Sequence, residues 1–278
     1  MMRQLSAVFL LLLASIVQAQ DSAGVQKPVG DGSIELFEPA TPRKQEKAKL
    51  QGIVYSKEFS MGGKITTTGW GFFGEYSRTV SSTKKRVFSF EFMELKHPKQ
   101  IKQSNEFILP AFGLESPKAY VYGKQNNLYL LHTGYGGRYM LGDRAKKSGV
   151  EVSMSWSAGP TFGLLKPYYL KVIETNGDFF TIQDKRFDPD EPEDFLNQAA
   201  IYGASGFSYG LGQLDFVPGA HGKVGLNFDW ANYSEVVKSL EAGIGADLFL
   251  GRPEIMIVER NKFQFVYLYL SLQFGKRW

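Results

Sequence analysis

Cysteine is absent from this chain. That excludes disulfides, thiolate metal centres, a cysteine nucleophile and a lipid-modified N-terminal cysteine. Histidine is nearly as scarce: the three present are His97, His132 and His221. Past the first twenty residues no apolar run approaches a membrane-spanning helix, which needs about 20 residues. Acidic charge is not in excess, since the net charge is +4 and the pI near 9.0. No basic run interleaved with stacking aromatics accompanies that charge, so a nucleic-acid groove is excluded. The Gly-x-Ser and Gly-x-Gly spacings of Ala199 to Gly212 have no strand-to-helix context, so they read as a mobile surface loop and not as a phosphate cradle.

The one long apolar run lies at the N-terminus. Arg3 supplies a positive start, Leu5 to Val17 an apolar stretch, and Val17-Gln18-Ala19 a small-residue cleavage site. This is the pattern of a secretory signal peptide over residues 1–19, and the run is too short for an uncleaved anchor. Residues 20–49 are polar, carry Pro28, Pro39 and Pro42 and end in a charged run from Arg43 to Lys49. They read as a flexible periplasmic lead-in.

What the chain has instead is aromatic content, 14%, with 30 glycines, and segments that alternate apolar and polar. Side chains on a strand point to opposite faces with period two. In the last segment Val266, Leu268, Leu270, Leu272 and Phe274 share one face, opposite Tyr267, Tyr269, Ser271, Gln273 and Gly275. The same alternation recurs around Trp70, Phe88, Tyr129, Val150, Val224 and Leu240. An exported, cysteine-free chain of this kind points to an all-β fold, a transmembrane antiparallel up-and-down β-barrel spanning residues 50–278 in the bacterial outer membrane. The apolar ending Leu270, Leu272, Phe274 and Trp278 resembles the C-terminal signal that barrel-insertion machinery recognises.

Bacterial barrels have an even number of strands, short periplasmic turns and longer outer loops. With Trp278 placed on the periplasmic side, short connections fall at Val80–Lys85, Gly142–Gly149 and Ala231–Glu235. Long ones fall at His97–Asn126, Ile173–Gly219 and Arg252–Lys262. Parity then requires a further strand through Ile53, Tyr55 and Phe59, closed by a tight turn at Met61-Gly62-Gly63-Lys64, with Lys57 at an interface. The count is eight. A larger barrel would need a hairpin inside Ile173–Gly219, which Pro189 and Pro192 disfavour.

Eight strands leave an interior filled by side chains, which argues against a general porin. Parity turns Glu75, Glu91, Glu151, Asp229, Glu241 and Asp247 inward with Arg138 and Lys223, and His132 or His221 beside them. Charges removed from water must be paired, so these residues are the expected lumenal charge network; an excess of carboxylates would alternatively make a cation or proton site. A catalytic set of His132 or His221 with Ser153, Ser155 or Ser271 and Glu91 or Glu151 is allowed by parity. No His-x-Ser occurs, however, whereas barrel-shaped lipid A deacylases carry one near the chain's end, so no catalytic, cofactor or metal residue is assigned. The acidic stretch Phe187 to Phe195 reads as a solvated loop in preference to a divalent-cation site, because prolines interrupt it and it lacks a binding-loop glycine. Lys96-His97-Pro98-Lys99, with Lys102, Lys118 and Lys124, forms a basic edge able to attract lipid phosphates.

Lys96-His97-Pro98-Lys99, Tyr122 to Asn127, Gly163 to Tyr169 and Phe274-Gly275-Lys276-Arg277-Trp278 carry a resemblance covering nearly all of the mature chain. It resembles outer-membrane β-barrel proteins of Bacteroidota whose activity is generally unassigned. The resemblance implies fold and location and specifies no chemistry. The expected function is a non-enzymatic structural or surface-interaction protein of the cell envelope, with a narrow channel or transport accessory as the alternative and a lipid-modifying enzyme as a second. Its expected partners are outer-membrane lipids and lipopolysaccharide, the barrel-insertion machinery and an envelope protein, with no cofactor.

Overall fold

The computed structural model describes residues 55–104, 117–142, 150–176, 179–231 and 235–278. The expected signal peptide, the lead-in and Ile53 lie outside the described residues. Eight strands close into one antiparallel barrel in the order β1-β13-β12-β11-β7-β6-β3-β2. They are β1 (Lys57–Thr66), β2 (Gly69–Ser81), β3 (Lys84–Leu95), β6 (Asn126–Gly142), β7 (Glu151–Pro167), β11 (Asp215–Asp229), β12 (Val236–Phe249) and β13 (Gln264–Arg277). Every neighbouring pair except β1 and β13 is consecutive among the barrel strands, so the topology is up-and-down.

Closure depends on the pairing of the first and last barrel strands. Glu58 lies opposite Arg277 and Thr66 opposite Tyr269, and the backbones of Lys57 and Trp278 exchange both hydrogen bonds, each at 3.0 Å. The β1 strand corrects one expectation. Met61-Gly62-Gly63-Lys64 is no turn: it is the middle of the strand, and Thr67-Thr68 turns the chain into β2. Glycine suits Gly62 because a side chain there would run into the carbonyl of Leu272 on β13 and the Phe73 ring. Lys64 therefore points into the barrel, while Lys57 sits exposed at the strand's first position.

The faces are inside-out relative to a soluble barrel. Ile65 (69% exposed), Phe72 (61%) and Val266 (67%) project outward, whereas Glu75, Glu91, Lys223 and Glu241 are buried in the lumen. An outer surface apolar around the whole wall is stable only against another apolar medium, which is the arrangement of a transmembrane barrel. No helix of the described residues is long and apolar enough to cross a membrane.

The barrel's two ends differ. At one, β2 passes to β3 through Ser82-Thr83, and β6–β7 and β11–β12 are joined by short connections. At the other, long connections fold into structure of their own. The β3–β6 connection holds the paired strands β4 (Lys102–Gln103) and β5 (Tyr120–Val121). The β7–β11 connection holds β8 (Tyr169–Asn176), β9 (Phe179–Arg186), the short helix α1 (Pro192–Leu196) and β10 (Ile201–Ala204), with sheet order β10-β8-β9. The disfavoured hairpin inside this connection thus exists as β8–β9, but it stands outside the barrel and leaves the strand count unchanged. Ala199–Gly212 is also not the free loop its small residues suggest. Ile201 is fully buried among Tyr120, Leu170, Val172 and Phe195, and it anchors β10 beside β8.

Candidate functional site

The lumen is built in layers, each set by strand parity and register. Nearest the short-turn end, Arg277 donates from Nε to Glu58 at 2.9 Å and pairs with Asp229. Lys85 reaches Glu58 at 2.9 Å, and Arg138 spans Glu58 at 3.4 Å and Glu75 at 3.0 Å. In the middle, Lys223 bridges Glu75 (3.3 Å) and Glu91, and Lys64 pairs with Glu91 from the other side. Tyr269 donates its hydroxyl to Glu241 at 2.8 Å, and Asn227 donates to the same carboxylate at 3.4 Å. Above them His132 Nε2 lies 2.8 Å from Asp247, and its ring stacks on His221 at 4.2 Å between centroids. Thr161 links His221 and Asp247, each at 3.2 Å.

Toward the long-loop end the lining turns apolar. Met93, Leu95, Leu128, Leu130, Leu165, Phe249 and Phe265 converge from their strands with Ile255 and Met256 from the β12–β13 connection, all at most 6% exposed. This cluster caps the charged layers. The lumen is thus a paired electrolyte under an apolar plug.

Of the residues assigned to the charge network, Glu75, Glu91, Arg138, Lys223 and Glu241 come together at the barrel's centre. Asp229 and Asp247 join neighbouring layers. Glu151 instead sits half-buried at the short-turn end of β7, opposite Asp229 in register. Sequence reasoning missed Glu58, Lys64 and Arg277. Extending the alternation of the last strand by two residues would have turned Arg277 inward, and the Gly-Gly pair concealed Lys64. The four outward residues Leu270, Leu272, Phe274 and Trp278 are each 40% exposed or more.

Among the described residues no hydrogen bond joins a histidine to a serine, as a triad requires. His132 faces Asp247 and Glu91, His221 faces Thr161, and both lie beneath the plug. In the acidic stretch Asp188, Asp190, Glu191 and Glu193 are exposed, but the stretch is held at its ends by Phe187 against Phe195. Among the described residues no group of three or more His, Cys, Asp or Glu is placed to hold a metal ion.

A second feature lies on the barrel's outer wall at the long-loop end. A cross-strand row runs Ile65, Trp70, Glu94, Tyr129 over four adjacent strands. All four belong to the outward face. They form the floor of a cleft of about 1090 Å³, roofed by Lys96, Lys102 and Lys124 from the β3–β6 connection and by Ser205, Gly206, Phe207 and Tyr209 from the β7–β11 connection. Trp70 donates its indole N–H to Glu94 at 3.0 Å, and Lys96 lies 3.3 Å from the same carboxylate. Lys166, at the end of β7, donates to the carbonyl of Phe207 at 2.6 Å. Lys124 is buried, donates to Gln100 at 3.3 Å and lies over the Tyr168 ring. Burial, reinforced by the charges of Lys96, Lys102 and Lys166 and opposed by Glu94, holds its amine down to about 8. His97, at the cleft's rim, is also lowered, chiefly by burial.

No family profile matches the chain, and no curated protein matches it. Its structure is similar to that of Ail, the attachment invasion locus protein of Yersinia pestis, at 10% identity with a TM-score of 0.38. The match covers 81% of this chain and 100% of that one. Neisserial surface protein A matches at 9% identity with a TM-score of 0.37, covering 80% and 95% of the two chains. The N-terminal β-barrel domain of Pseudomonas aeruginosa OprF matches at 11% identity with a TM-score of 0.32, covering 80% and 98%. The barrel assignment itself rests on this chain's own strand pairing and closure.

Proposed function

We propose that this protein is a non-conducting barrel of the bacterial outer membrane that acts, without catalysis, through the structured connections at its long-loop end as a surface-interaction module of the cell envelope. The observation that carries this reading is the sealed lumen. Among the described residues the charged layers paired across the barrel leave no row of unpaired like charge to draw ions through, and the plug of Met93, Leu95, Leu128 and Phe249 covers the end that the long connections occupy. The second support is the investment of sequence outside the barrel. The β8–β9–β10 sheet builds an apolar core of Leu170, Val172, Phe195 and Ile201 with Tyr120 of the β3–β6 connection, which a simple connection between strands does not need. The outward Leu270, Leu272, Phe274 and Trp278 remain the proposed contact for the insertion machinery.

Purified protein in planar bilayers tests the reading. The expected trace is flat across the usual voltage range, and reproducible single-channel steps would establish the narrow-channel alternative instead. Density-gradient fractionation of the producing cells should place the protein in the outer-membrane band. Recovery with inner membranes or soluble proteins would refute the location.

A further inference from the structure

We propose that the outer-wall cleft is a binding site for a membrane lipid with a phosphorylated headgroup, the phosphate held by Lys96, Lys102, Lys124 and Lys166 and the apolar part lying against Trp70 and Tyr129. This inference rests on the reading of the molecule as a membrane barrel and assigns the ligand of its surface module.

Position is the first argument. The floor residues belong to the outward face, and the row beneath them continues as Phe72, Phe92 and Leu131 in register. The cleft therefore opens onto the same apolar wall that faces lipid, at the height where the strands end. Trp70 and Phe92 are 44% and 36% exposed there, and aromatic side chains at that level sit among headgroups in transmembrane barrels. A soluble ligand would be expected above the loops, not against this wall.

Charge is the second. Among the described residues, Lys102, Lys124 and Lys166 have no carboxylate within ion-pairing distance, and Glu94 is shared between Trp70 and Lys96. Lys124 and Lys166 are buried, and buried cations without a counter-charge are costly; Lys102 adds an exposed charge at the rim. Gln100 adds a buried amide N–H without a partner, and Ser205 a buried hydroxyl likewise, both lining the same cleft. Lys124 and Lys166, whose ammonium groups meet only neutral acceptors, and an amide and a hydroxyl that meet none line one cleft, and such donors are the complement of a phosphate oxygen.

Size is the third. Pockets of about 300–1,000 Å³ hold drug-sized molecules, so a cleft of about 1090 Å³ is far larger than inorganic phosphate requires. It suits a sugar or glycerol phosphate headgroup with the first part of its chains. Ile65, Trp70 and Tyr129 of the floor supply what the chains need.

The test uses the full chain in a neutral, phosphate-free detergent, with Trp70 fluorescence as readout and W70F as the signal control. Bisphosphorylated lipid A, its fully dephosphorylated form, glucosamine 1,6-bisphosphate without chains, and inorganic phosphate are titrated in parallel. The expected order is tight binding of the phosphorylated lipid and at least tenfold weaker binding of the other three. K102Q/K124Q should lose at least tenfold for the phosphorylated lipid, whereas K57Q, at the opposite end, should match the parent. Equal binding of the chain-free bisphosphate would overturn the lipid assignment, equal binding of the dephosphorylated lipid would overturn the phosphate site, and no binding would overturn both. The comparison among ligands on the unmodified protein needs no variant to fold. Because it is made in detergent, its failure is separate from a failure of the outer-membrane location, which fractionation reads.

Discussion

Lys223 reaches Glu75 and Glu91 from the centre of the lumen, with Lys64 on the far side of Glu91. Removing one partner of a buried pair leaves an uncompensated charge, which costs about 3–5 kcal/mol. Lys223→Met should lower the urea stability of the folded barrel in micelles by that amount, and a midpoint within experimental error of the parent would contradict the pairing. K223M with Glu75→Gln should recover part of the loss, since Arg138 and Lys64 then have less carboxylate charge to balance. Lys124 offers a test by pH. Its amine is lowered to about 8 from an ordinary 10.5, so between those values the folded state binds fewer protons than the unfolded one. Stability contributed by this group therefore rises with pH across that window. The parent should gain stability relative to Lys124→Met from pH 8 to 10, and an unchanged difference would show that Lys124 keeps its ordinary affinity for the proton.

Among the elements, β1 and the β8–β10 sheet make opposite predictions. Gly62 lies in β1 against the Leu272 carbonyl of β13, so Gly62→Val should push the two strands apart and weaken barrel closure. Loss of the compact, heat-modifiable form on electrophoresis would report it. Phe195 is 1% exposed in the core of the loop sheet. Phe195→Ala removes a buried aromatic side chain, a change worth about 3–5 kcal/mol, but the loss belongs to the sheet outside the barrel. Proteolysis within the β9–β10 connection should accelerate while the urea midpoint of the barrel stays unchanged; a shared shift would mean that the two units unfold together. The elements also show where local reading ended. Period-two alternation marked β2, β3, β12 and β13 because each has one face toward lipid and one toward charge. β10 escaped it because four residues packed on both sides by Tyr120, Leu170 and Phe195 carry no alternation.

For the whole molecule, closure between β1 and β13 is the decisive feature. Deleting Gly275–Trp278 removes Arg277 from Glu58 and Asp229 together with the hydrogen bonds between Trp278 and Lys57. The truncated chain should fail to give the heat-resistant folded band, and a band equal to the parent's would show that β1 and β13 close without their last register positions.

Outside β1 and the last residues of β13, the sequence by itself determined which residues face lipid and which face the lumen, because that choice has period two and is made by each residue's immediate neighbours. It also determined the strand count, since loop lengths and parity leave eight as the even number that closes. Only the tertiary structure decided which carboxylate meets which cation. Glu91 and Lys223 stand 132 positions apart, and nothing local encodes a register accumulated over several strands. The outer-wall cleft likewise exists only after folding, when the lysines of the β3–β6 connection and Lys166 of β7 are brought beside Trp70 and Tyr129 by the pairing of strands distant in the chain.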